Sequence, residues 1–318
     1  MRLFKLVKTL FFIVSGGLLI WLTIQKVNLD ELKLSLNQCN TGSIIPIFLI
    51  SIGVVIVRAK RWKLLYKSQG IEVKSHQLFH VLNIGYLVNF AIPRLGEISR
   101  AAILKDRFHI QMNRSIASIF FERLTDLLAL AIILFVAILS ESFLNTGVLT
   151  QLLHQVPFKP IFIWTGLLVG ILLLIVLYYF RKILFNKMNT WLQELISFIG
   201  LLMRLEFKSS YLIYTLFIWI GFYLMTNLWI YIFPDSSQLS FYACFEVMLV
   251  GVLARTIPIQ AGSAGAYHLV VTNAFVYFGL NDTRAFTLAL LIHGFQSFLT
   301  IILGIVSYIW LIFQQKNA

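Results

Sequence analysis

Asn89-Phe-Ala-Ile-Pro93-Arg94-Leu-Gly96-Glu97-Ile-Ser-Arg100 breaks a long apolar stretch with a proline, a glycine and three ionisable residues. A second such interruption, Arg255-Thr-Ile-Pro258-Ile-Gln-Ala-Gly262-Ser-Ala-Gly265-Ala-Tyr-His268, lies in the C-terminal half. Hydrocarbon gives freed backbone groups no hydrogen-bond partner. Irregular backbone at membrane depth therefore survives only when buried in protein or lining a wet cavity. A pair of interrupted segments, one in each half of a polytopic chain, is the best sequence pointer to a transport site.

The rest of the chain has the composition this reading needs. Hydrophobic residues make up 59% of the 318 and charged residues 12%, and the mean hydropathy is +0.86. These values lie outside the soluble globular range. Runs such as Ile161–Phe180 and Phe286–Phe313 are long enough to cross a bilayer as helices. The expected fold is all-α, a polytopic helical membrane protein forming a single domain over residues 1–318. Full spans are predicted at about Leu6–Gln25, Ile44–Val57, Ile116–Leu139, Ile161–Phe180, Tyr211–Phe233 and Ala285–Phe313. That gives about six, plus two broken hairpins at Leu78–Leu104 and Phe241–Gly279, either re-entrant or fully spanning. The basic N-terminus and the apolar run Leu10–Ile24 resemble a signal peptide but lack a small-residue cleavage site, so they read as a retained span.

The net charge of +13 does not mark a nucleic-acid binder, because the basic residues flank the spans. Twenty of the 26 Lys and Arg residues fall on one side, among them Arg58 and Arg61. Four (Lys26, Lys33, Lys159 and Arg284) fall on the other. The positive-inside rule then puts both termini in the cytosol. In that orientation the two hairpins enter from opposite sides, as in an inverted-topology repeat. Ala91-Ile-Pro93 and Thr256-Ile-Pro258 are a local echo of it. Trp191–Arg204 carries a narrow polar stripe that suits an interfacial helix or a short buried one.

The charges inside the membrane carry the candidate chemistry. Glu122-Arg123-Leu-Thr-Asp126 sits within the third span, where each ionised group costs roughly 2.5–3.5 kcal/mol at a helix centre. Glu122 and Asp126 share a face at i, i+4, and Arg123 can reach Asp126 at i, i+3. They form either a charged wall of a wet cavity or an ion-pair lock between helices. At the first break, Arg94, Glu97 and Arg100 are spaced by three, so both arginines can pair with Glu97. The surplus positive charge suits bidentate phosphate binding, and the alternative is a snorkelling loop. At the second break, Gly262 and Gly265 free the backbone. A helix starting near Ser263 would aim N–H groups at an anion beside Arg255, although small residues also serve helix packing. Asn83 and Asn89 either line the cavity or bond across helices.

Other groups carry less. His76 and His80 have i, i+4 spacing but no HExxH frame, so they read as interface histidines, and His293 reads as packed. Cys39 and Cys244 match no metal or redox spacing. No nucleophile–base–orienter set is present, so neither an enzyme nor a cofactor is expected.

Asn89, Pro93-Arg94-x-Gly96-Glu97-x-x-Arg100, Glu122-Arg123-x-x-Asp126 and Ile257-Pro258-x-x-x-Gly262-x-x-Gly265 together resemble the lysylphosphatidylglycerol synthase transmembrane-region family. That family includes the flippase domain of the bifunctional lysyl-lipid synthase/flippase and stand-alone bacterial membrane proteins. The resemblance implies a domain of the bacterial cytoplasmic membrane that moves a phospholipid or lipid-linked headgroup between leaflets. Its implied partners are that lipid and the bilayer, with room for a homo-oligomer. Taken with the charges read above, the expected substrate-binding residues are Asn89, Arg94, Glu97, Arg100, Glu122, Arg123, Asp126, Arg255, Gly262, Gly265 and His268. Two departures stand out. His268 occupies a place where the family commonly has a carboxylate, which bears on headgroup preference and pH sensitivity. The soluble aminoacyl-transferring domain is absent, so lysyl transfer is not expected. A membrane-embedded transferase on lipid-linked substrates is the competing reading.

Overall fold

In the computed structural model, which describes Trp21 and residues 28–139, 207–256 and 264–316, the described regular structure is helical. The helices are α1 (Leu29–Asn37), α2 (Ile44–Lys67), α3 (Ser75–Ala91), α4 (Leu95–Phe108), α5 (Met112–Leu139), α6 (Lys208–Ile230), α7 (Phe241–Thr256), α8 (Ala264–Tyr277) and α9 (Asp282–Lys316). Among the described residues, three helical segments are long and apolar enough to cross a membrane: Thr41–Lys67, Lys208–Ile230 and Asp282–Gln314. The expected spans Leu6–Gln25 and Ile161–Phe180 and the stripe at Trp191–Arg204 lie outside the described residues.

The chain divides into two compact units, Met1–Asp126 with Phe207–Ala318, and Leu127–Glu206. In the second unit the described residues are the end of α5, an apolar helix with Leu127, Leu128, Ile132, Phe135 and Val136 exposed. Such a surface suits lipid rather than water.

In the first unit α2 packs on α6 and on α3, α3 on α4 and α9, α7 on α6 and α8, and α8 on α9. The α2–α6 seam is an apolar cluster of Val54, Ile218 and Met225. The first broken stretch is a helical hairpin, α3–α4, and the helices flanking the second, α7 and α8, pack on each other. The long helix that follows each is α5 or α9, so long helix, helix pair, long helix occurs twice in chain order.

Helix α2 corrects one sequence expectation. The span predicted to end at Val57 continues without a break to Lys67. Arg58 and Arg61 therefore belong to a helix, where the charge count had placed them in a cytosolic loop. Their face also carries Ala59, Trp62, Leu65 and Tyr66, while Lys60, Lys63 and Lys67 are exposed. This is ordinary helical amphipathicity.

Candidate functional site

The first break follows from local chemistry. A residue before proline is pushed out of the helical region, and Ile92 is extended at φ −136°, ψ 109°. Arg94 then turns the chain in the left-handed region at φ 67°, a conformation that costs a non-glycine residue on the order of 1–3 kcal/mol. Asn89 holds the turn from the α3 side. Its Oδ1 accepts from the Gly96 backbone N–H at 2.7 Å, capping α4, and its Nδ2 donates to Glu97 Oε1 at 3.3 Å. Of the two sequence options for Asn89, bonding across helices is the one observed. Asn83 donates within its own helix to the Phe79 carbonyl.

The two limbs approach closely enough to require glycine on both sides. A Cβ at Gly96 would sit 2.1 Å from the Gly85 carbonyl oxygen, and one at Gly85 would sit 2.6 Å from the Arg100 stem. Gly85 thus leaves the groove along which Arg100 reaches inward. At 14 residues, α4 is about 21 Å long.

Arg100 enters a cluster built by α2, α4 and α5. Its Nη2 donates to Glu122 Oε2 at 2.6 Å, and its guanidinium carbon lies 4.1 Å from the centre of the Trp62 ring. Glu122 Oε1 is 3.4 Å from Arg58 Nη1 and 4.0 Å from Arg61 Nη2. Asp126 lies 3.3 Å from Arg58 and 2.8 Å from Arg61. Arg61 also donates to Thr215 Oγ1 of α6 at 3.1 Å. Arg61, Arg100 and Glu122 are each 1% exposed, and an unpaired charge there would be strongly destabilising. Trp62 Nε1 donates to Ser118 Oγ, which donates to the Tyr66 hydroxyl, so the cluster's apolar wall is hydrogen-bonded too.

The pairings differ from those read locally in the sequence. Arg123 pairs with Glu97 at 3.1 Å, where Asp126 had been expected, and both members are about one-third exposed. Glu97 does not hold Arg94 and Arg100 together, because Arg100 goes to Glu122. Arg94 is exposed at the turn. The cluster therefore has two parts: an inner set of buried Arg61, Arg100 and Glu122 with half-buried Arg58 and Asp126, and a more accessible edge of Arg94, Glu97 and Arg123. Four guanidiniums face three carboxylates even before Arg94 is added. Arg61 Nε, Arg100 Nε and Nη1, and Arg123 Nε are buried donors without hydrogen-bond acceptors. Arg58 and Arg61 are the residues that sequence reasoning missed.

The second break places its residues elsewhere. A crevice between α6, α7, α8 and α9 is lined by Phe222, Trp229, Met248, Arg255, Tyr267 and Gln296, among others. The Arg255 guanidinium carbon lies 4.4 Å from the Tyr267 ring centre. His268, 5% exposed, sits 5.0 Å ring to ring from His293. Gly265 is buried at the start of α8, and Gly262 lies outside the described residues. Arg94 is not among the residues that line this crevice. The link that is seen is Phe222, which lines the crevice and lies 5.5 Å from the Arg58 guanidinium carbon.

His76 and His80 pack against α9. His80 stacks on Trp310 at 4.0 Å, with its Nδ1 3.0 Å from Ser307 Oγ, and His76 meets the edge of the same indole.

A family model described as the lysylphosphatidylglycerol synthase TM region matches residues 6–304. No curated protein and no solved structure matches the chain.

Proposed function

The chain belongs to the lysylphosphatidylglycerol synthase TM-region family, a membrane family with a lipid-related role, and from that premise we propose that it is a lipid flippase or transporter. It moves a phospholipid or lipid-linked headgroup between leaflets and performs no covalent chemistry. The observation that carries this reading is the graded charge cluster. Intramembrane ionisable groups are costly and are functional by default. Here the deeply buried members are tied to one another, while Arg94, Arg123 and Glu97 remain accessible beside the helix break. The guanidiniums of Arg94 and Arg123 suit bidentate contact with a phosphate. Glu97 suits a cationic headgroup part. Arg100, Glu122 and Asp126, together with Arg58 and Arg61, position that edge, and Arg255 offers a second cation at the crevice.

In the same reading the protein is one flippase domain over residues 1–318 of the bacterial cytoplasmic membrane. It has about six spans, two re-entrant hairpins and both termini in the cytosol. Taking Arg58 and Arg61 out of the Lys/Arg count leaves eighteen against four, so the asymmetry behind that orientation persists. The repeated order of long helix, helix pair, long helix supports an inverted repeat.

The test is leaflet exchange of a fluorescent anionic phospholipid in proteoliposomes, read by reduction of the outer leaflet. Wild type should exchange, while Arg94→Ala and Arg123→Ala should not, at unchanged melting temperature. Wild-type exchange by both variants would remove the accessible edge from the site. One observation favours the transferase alternative: Glu97 Oε2 has no hydrogen-bond partner and could act as a base. Covalent turnover of lipid-linked substrate by purified protein, abolished in Glu97→Gln, would establish that reading instead.

A further inference from the structure

We infer that His268 and His293 form a proton-binding site coupled to an anion at Arg255, so that each anionic headgroup entering the crevice brings a proton with it. This rests on the transport reading above and supplies its coupling ion.

His268 is the fifth residue of α8 and is buried, and neither of its ring nitrogens has a hydrogen-bond partner. Buried polar atoms are nearly always paired, and a polar residue inside a membrane domain without a partner is a functional signal. The space its ring faces is aromatic and histidine-rich: His293 at 5.0 Å, Phe286 at 5.9 Å and Tyr267 at 6.2 Å. Tyr267 joins the pair to the crevice, lying 5.4 Å from His293 and 4.4 Å from the Arg255 guanidinium. One helical turn along α9, Gln296 lines the same crevice.

The surrounding charges decide what the pair can do. From α7 the charged groups are Arg255 and Glu246. Glu246 is buried nine residues earlier, roughly 13 Å along the helix. From α9 they are His293 itself and, at the helix start, Asp282 and Arg284. Arg284 is held by Asp235 and Gln38. The N-terminal end of α8 adds partial positive charge. A proton taken up by either imidazole adds positive charge to a site that Tyr267 joins to Arg255, and an anion beside Arg255 offsets it. Linkage makes this reciprocal: if the anion promotes protonation, the proton promotes anion binding by the same factor.

The experiment is proton uptake by the purified full chain in detergent at weak buffering, read with a pH-indicator dye as short-chain phosphatidylglycerol is added. Uptake of about one proton per bound lipid is expected in wild type, with affinity falling up to about tenfold per pH unit above the site's titration point. Short-chain phosphatidylcholine serves as the zwitterionic control and should cause no uptake. His268→Gln and His293→Gln should each abolish uptake and flatten the pH dependence of binding. Uptake with inorganic phosphate as well would support the proton site and assign its trigger to the anion alone. Lipid binding by wild type without uptake would overturn the coupling while leaving the transport reading intact. Uptake retained in both variants would place the proton elsewhere and overturn the assignment. Absence of lipid binding at every pH would sink both proposals.

Discussion

Replacing Glu122 by glutamine removes the charge on which three arginines converge. The carboxylate accepts from Arg100 at 2.6 Å and lies 3.4 Å and 4.0 Å from Arg58 and Arg61. Desolvation offsets most of the Coulomb attraction while the network is whole. Once Glu122 is neutralised, the attraction is lost while the desolvation of the buried arginines remains, at a cost of about 3–5 kcal/mol. Arg123→Gln makes the contrast, because its pair with Glu97 is about one-third exposed on both sides and is worth about 0–1 kcal/mol. At roughly 2 °C or more per kcal/mol for a chain of this size, Glu122→Gln should melt about 6 °C or more below wild type. Arg123→Gln should melt within about 2 °C of it. The assay is thermal unfolding in mild detergent at neutral pH, followed by circular dichroism and by recovery of the monodisperse peak. A double Arg100→Met/Glu122→Met variant should recover at least half the loss, because apolar isosteres of a buried pair are tolerated better than one orphaned partner. Arg58 and Arg61 keep Asp126 in that variant. If Glu122→Gln melts with wild type, or if the double variant fares no better than the single, the cluster is not an electrostatic lock.

Three further outcomes follow from the geometry. Gly96→Ala would press a methyl group to 2.1 Å from the Gly85 carbonyl oxygen, a backbone atom that cannot step aside. The loss should be at least about 1–3 kcal/mol, seen as reduced yield and a lower melting temperature. Asn89→Ala removes the α4 cap, at a cost of about 1 kcal/mol. Asn89→Asp keeps the acceptor but sets a second carboxylate beside Glu97, so it should melt no higher than the alanine variant. Cys39 is half-buried and Cys244 is buried. A membrane-impermeant maleimide applied to intact cells should therefore label Cys39 if the loop before α2 faces outward, as the cytosolic-termini topology requires. Burial pushes the Cys39 thiol above its ordinary range, so less of it is thiolate at neutral pH. Labelling should keep accelerating as pH rises past 8, and Cys39→Ser should abolish it.

Much of the fold could be read from the chain because its rules are local. Proline at 93 removes a backbone donor and disfavours the helical conformation at Ile92, so the break within Leu78–Leu104 was visible from residue types alone. Helix α2 was cut short for the opposite reason. Arg58 was taken as the end of a span because charge marks the edge of hydrocarbon. The helix continues because Arg58, Arg61, Trp62 and Leu65 share one face, and that face is buried. Counting hydropathy along the chain cannot see this, whereas projecting residues 57–67 onto a helix would have.

The pairing of charges resisted reading for a deeper reason. Along a helix, Arg123 and Asp126 or Arg94, Glu97 and Arg100 stand at spacings that permit contact, but such pairs gain only about 0.2–0.5 kcal/mol. That is small beside the several kcal/mol required to bury an ion without compensation. Burial therefore decides the partners. Arg100 sits in the α3–α4 groove that Gly85 opens, so it takes the buried Glu122 and leaves Glu97 to Arg123. Asp126, turned towards α2, takes Arg58 and Arg61. Each pair of the cluster joins different helices, and each local alternative within it is given up. Sequence spacing lists which charges can meet on one helix. In a membrane domain, which of them do meet is set by helices far apart in the chain.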